Sequence, residues 1–99
     1  MIRHIVAWNL KAGLTEAEKS ENARKIKSEL EALTRYIPGI VSLEAYIDTL
    51  PSGNRGLVLN SLFESAEALA AYQVHPEHRR VAALIGAVTQ DRVCLDYEE

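Results

Sequence analysis

The run Tyr72-Gln73-Val74-His75-Pro76-Glu77-His78, with Arg79 and Arg80 behind it, gathers a phenol and two imidazoles in a chain with only 3 histidines. A neutral imidazole can take a proton near pH 7 and a phenol can give one, so this stretch could carry general acid–base chemistry. The remaining histidine, His4, lies near the other end of the chain, on what reads as the first strand. His78, Tyr72 and His4 are therefore the candidate catalytic residues. His78 falls in the first turn of a helix opening at Pro76, where the macrodipole disfavours positive charge and keeps the ring neutral, as a base must be. Tyr72 precedes it across a bend and could aim its hydroxyl at the same space.

Each of these residues also has a plain structural reading. His75, forced out of helical geometry by Pro76, suits a backbone-bonding role at the bend. Tyr72 could be a core aromatic whose hydroxyl meets the backbone, His4 a satisfied core histidine, and His78 a helix-start residue. Metal binding by His4, His75 and His78 is not expected. A spacing of three across a proline bend aims the rings poorly, and no cluster of cysteine or aspartate joins them. Arg79-Arg80 reads as a solvated pair, although a helix start beside two arginines could accept a carboxylate or phosphate. Cys94 has no activating neighbour in sequence and reads as inert.

The elements that must position these residues follow from periodicity. Ile2 to Leu10 alternates yet is apolar on both phases, with Ile2, His4, Val6, Trp8 and Leu10 on one face and Ile5 and Ala7 on the other. That pattern is a strand covered on both sides. Thr15 and Glu18 form a capping-box signature, and Ala23, Ile26, Leu30, Leu33 and Ile37 make one apolar helical stripe, stopped by Pro38-Gly39. Ile40 to Ile47 reads as a second strand, with Val41, Leu43, Ala45 and Ile47 on one face. Leu57 to Phe63 reads as a third, after a loop rich in turn formers. Ser65 caps a short helix, the chain bends at Val74-His75, and Pro76 starts a second helical piece that Gly86 is expected to end. Thr89 to Tyr97 closes as a fourth strand, with Val93, Leu95 and Tyr97 opposite Arg92, Cys94 and Asp96.

The order β-α-β-β-α-β is the ferredoxin-like arrangement, α+β with a four-stranded antiparallel sheet and its helices on one face. The 99 residues suit a single domain, spanning 1–99, near the low end of domain size. Strands one and three are apolar on both faces, and helices can cover only one. The other would form a patch larger than monomers expose, so a two-fold homodimer through the sheet face is expected. Net charge −3 and pI near 5.6 exclude a broad phosphate-binding surface, and hence nucleic acid as a partner. No apolar run reaches the roughly 18–20 residues of a membrane span. A single cysteine cannot form an internal disulfide, and the N-terminus lacks a signal-peptide pattern. A cytoplasmic location is the expectation.

Arg3-His4-Ile5-Val6, Phe63-Glu64-Ser65, Tyr72-Gln73-Val74-His75-Pro76-Glu77-His78 and Asp96-Tyr97 resemble the stress-responsive A/B barrel (Dabb) family over essentially the whole chain. The Tyr-x-x-His-Pro-x-His run is the most specific part. The resemblance implies a dimeric α+β barrel. Many members of the family have no assigned activity, whereas one branch consists of cyclases that fold linear polyketides by aldol chemistry without a cofactor. By that resemblance His78 would be the general base, Tyr72 its assistant and His4 a pocket-lining residue. The strand-three position that carries a further pocket histidine in that branch is Leu57 here. Two functions from different classes follow. One is a cofactor-independent protein that holds a small organic ligand in an apolar pocket between sheet and helices, with cyclase- or lyase-type acid–base chemistry. There Trp8, Leu57, Leu59 and His75 are candidates to contact the ligand. The other is a non-catalytic structural dimer with the same residues packed shut.

Overall fold

The structure is a computed structural model and describes residues 1–99. Its elements are β1 (Ile2–Leu10), α1 (Glu16–Ala32) with a 3-10 turn (Leu33–Arg35), β2 (Ile40–Tyr46), β3 (Leu57–Phe63), α2 (Ala66–Val74), α3 (Pro76–Val88) and β4 (Thr89–Glu98). β1 pairs antiparallel with both β3 and β4, and β2 pairs with β3, which gives the sheet order β2-β3-β1-β4 of a ferredoxin-like fold.

Local chemistry accounts for the helix boundaries. The Thr15 hydroxyl accepts the Glu18 N–H, and the Glu18 carboxylate accepts the Thr15 N–H in return, closing the capping box. The stripe Ala23, Ile26, Leu30, Leu33 and Ile37 is buried throughout, and the chain leaves it through Gly39 at φ +89. Only glycine takes that conformation cheaply, and a Cβ there would stand 2.7 Å from the Ala68 methyl. At the bend, His75 is extended at ψ 137 and ends α2 while its ring nitrogen caps α3 by accepting the Glu77 N–H.

Two expectations need correction. Gly86 does not end α3, which runs on to Val88. No left-handed φ occurs at Gly86, so it sits inside the helix. The exit comes at Thr89, an extended residue whose hydroxyl donates to the Ile85 carbonyl. Val41 does not share the face of Leu43 and Ala45. The register with β3 slips between Ile40 and Ser42, so Val41 is the extra residue of a bulge and is exposed.

The core lies between the helices and one sheet face. Val6, Trp8, Leu57, Leu59, Phe63, Leu43 and Ala45 meet Ile26, Leu30, Leu33, Tyr72, Val81 and Ile85 there. The edge strand β2 is fastened to α1 through Ala45, whose N–H donates to the Glu31 carboxylate at 3.0 Å while its carbonyl accepts from Lys27. The opposite sheet face has no helix. Register places Ile5, Ala7, Val58, Leu62, Val93, Leu95 and Tyr97 together on it, with Leu95 53% and Tyr97 48% exposed.

Candidate functional site

His4, Tyr72 and His78 converge, although they come from β1, α2 and α3. β1 alternation turns His4 to the helix side, where it is 3% exposed. The rings form a chain: His4 to Tyr72 at 6.2 Å, edge-on, and Tyr72 to His78 at 4.3 Å. Phe63 backs it, 4.8 Å from Tyr72 and 6.0 Å from His4. Beside these rings lies a cavity of about 300 Å³, lined by His4, Val6, Trp8, Leu30, Leu59, Tyr72, His78, Ile85, Gly86 and the start of β4. Its wall is about half apolar, with His4, His78, Thr89, Gln90, Asp91 and Arg92 supplying the polar groups that could orient a small molecule. A wider cleft of about 710 Å³ at the end of β1 is lined mostly by polar side chains, but no buried polar group there lacks a partner.

Tyr72 borders the cavity, but its hydroxyl is fully buried in the wall and has no hydrogen-bond partner. Burial pushes its pKa well above the ordinary phenol range, so it stays a donor. The same force lowers His78: desolvation favours the neutral ring and outweighs the help from the Gln73 carbonyl, and His4, Arg92 and His75 add repulsion. His78 Nδ1 lies 3.1 Å from that carbonyl. With the proton on Nδ1 to make this bond, Nε2 is the free acceptor.

Of the other candidates, Trp8 and Leu59 line the cavity, whereas Leu57 and His75 do not. Leu57 is fully buried in the core. His75 is occupied as the cap of α3, and so does not join His4 and His78 in a three-imidazole set.

Sequence reasoning missed two neighbours of His4. Its Nδ1 hydrogen-bonds the Asp96 carboxylate, and Cys94 Sγ lies 3.8 Å from the same nitrogen. Asp96 stands directly opposite His4 in the β1–β4 register, with Cys94 two residues before it. The alternation of β4 had placed both on one face, but only the strand pairing brings that face to His4. The Cys94 thiol, though exposed, is held above its usual pKa by partial desolvation and by the Asp96 charge, so it is not an activated nucleophile.

A dimeric ferredoxin-like protein of unknown function from Bacteroides fragilis superposes on this chain with a TM-score of 0.92 at 28% identity, covering 99% of this chain and 95% of that one. A second dimeric ferredoxin-like protein, from Thermobifida fusca, gives 0.81 at 26% identity, with 97% and 88% covered. The hydroxynitrile lyase of Passiflora edulis shares the fold, with a TM-score of 0.80 at 19% identity and coverage of 97% and 90%. No curated protein matches. The family model for the stress-responsive A/B barrel domain matches residues 2–99, and the chain belongs to that family.

Proposed function

We propose that the protein is a homodimer that holds a compact organic ligand bearing an oxygen function in the cavity beside Tyr72, with His78 as its acid–base group. The observation that carries this reading is the Tyr72 hydroxyl. A buried donor left without a partner costs about 1–3 kcal/mol, and a ligand oxygen that seats in the adjoining cavity and displaces the side chains covering the hydroxyl would relieve that cost. Neutral His78 beside it supplies an acceptor, so the pair can donate to one ligand atom and take a proton from another, as cyclase- or lyase-type chemistry without a cofactor requires. The volume of about 300 Å³ favours a single ring with short substituents. The hydroxynitrile lyase among the structural neighbours supports this reading in that a lyase is built on the same fold.

The test is a calorimetric titration of phenol, acetophenone and hydroxybenzoate against the wild type and His78→Ala. The expected result is binding by at least one compound that weakens about tenfold or more in the variant, without loss of folding. A wild type that binds none, and a variant that differs only in stability, would favour a structural dimer with a closed core.

A further inference from the structure

The cluster that β4 brings to His4 lies outside the roles given to Tyr72 and His78. We propose that His4, Cys94 and Asp96 bind a divalent cation of the zinc class.

Strand geometry builds this site. His4 faces Asp96 across the β1–β4 pair, and Cys94 faces Val6, the next inward residue of β1. Residues two apart on a strand point to one side, so imidazole, thiol and carboxylate share the helix side of the sheet. One ligand atom from each lies within 4.8 Å of the other two. Cys94 Sγ is 3.8 Å from His4 Nδ1 and 3.7 Å from the Asp96 carboxylate. In a tetrahedral zinc site, bond lengths of about 2.3 Å to sulfur and about 2.1 Å to nitrogen or oxygen put such atoms about 3.6 Å apart. The sulfur separations are already near those of a loaded site.

The closer His4–Asp96 pair has to open, and the molecule leaves room for that. The Asp96 side chain is 40% exposed on an edge strand, so its carboxylate can swing outward. His4 is the fixed member, 3% exposed and wedged edge-on against Phe63 and Tyr72. An ion can reach the group because Cys94 is exposed. Thiolate with imidazole selects a borderline-soft ion over calcium or magnesium, and three protein ligands leave a fourth position for water or a substrate atom. The thiol proton passes to buffer as the sulfur binds.

This site shares only His4 with the proposed ligand pocket, so the two can fail separately. The untagged full chain, dialysed against chelator, would be titrated with Co²⁺, whose absorption reports coordination that zinc hides. The expected result is one ion per chain with tetrahedral ligand-field bands and a thiolate-to-cobalt charge-transfer band, all bleached by added Zn²⁺. Cys94→Ser should remove the charge-transfer band, and Asp96→Asn should weaken binding more than about tenfold, since even outer partners of a metal ligand cost that much. His78→Ala should leave the cobalt affinity unchanged. Wild-type cobalt spectra without the thiolate band, no binding at micromolar metal, or full affinity in both Cys94→Ser and Asp96→Asn would overturn the proposal.

Discussion

Tyr72 and His78 lie ring to ring at 4.3 Å, and burial moves their proton affinities in opposite directions to one end: both stay neutral near pH 7. For Tyr72 this gives an unusual expectation for a core aromatic. Tyr72→Phe removes a buried hydroxyl that has no partner, so stability should hold or rise by up to about 1 kcal/mol. Affinity for an oxygen-bearing ligand should fall about tenfold. Thermal melts and calorimetry on one preparation check both halves, and a marked loss of stability would mean the hydroxyl is bonded after all. For His78 the sign follows from linkage. Its folded pKa lies below the ordinary 6.5, so the unfolded chain binds more protons as pH drops below about 6.5. Stability from the neutral ring is fully present above that value, is lost as pH falls through the folded pKa, and levels off below it. Melting temperature against pH for wild type and His78→Gln should therefore diverge only on the acid side. Parallel curves would show that His78 titrates as freely as in the unfolded chain.

Elements governed by nearest neighbours in sequence were legible without a structure, and those governed by strand pairing were not. Thr15 with Glu18, Ser65, and Pro76 after His75 each act within a few residues, and each helix starts where those residues require. The Val41 bulge depends on how β2 aligns with β3, and the Asp96–His4 contact on how the chain's last strand meets its first. Neither leaves a trace in periodicity. Gly86 is a different kind of miss, because glycine reads as a helix stop only when the backbone turns left-handed, and here it does not. Its place inside α3 makes a prediction. A Cβ at Gly86 would meet nothing within 4 Å, so Gly86→Ala should stabilise the chain by roughly 0.5–1 kcal/mol through helix propensity. Melting at fixed protein concentration would register this as a rise of a few degrees. A fall would mean that the helix needs glycine at this point.

At the scale of the whole molecule, the decisive feature is a sheet with helices on one side only. Ile5 at the centre of the bare face is flanked in register by Asn60 and Leu95, and Ala7 by Val58 and Val93, so side chains from three strands form a largely apolar surface interrupted at Asn60. Arg3 marks its margin, donating to Glu99 at 2.7 and 2.8 Å and to Asn60 at 3.0 Å. A greasy centre with a charged rim is the anatomy of a protein interface, and the structural relatives from Bacteroides fragilis and Thermobifida fusca are dimeric. Leu95→Glu tests the inference that a second copy covers this face. A carboxylate there would be buried without a partner at the interface, at a cost of several kcal/mol per copy, but would stay in water in a lone subunit. Sedimentation at micromolar protein should give a dimer for the wild type and a folded monomer for the variant. The Tyr72–His78 cavity lies on the other side of the sheet, between it and the helices. Ligand affinity per chain should therefore survive the split, and its loss would mean that the second copy shapes the pocket.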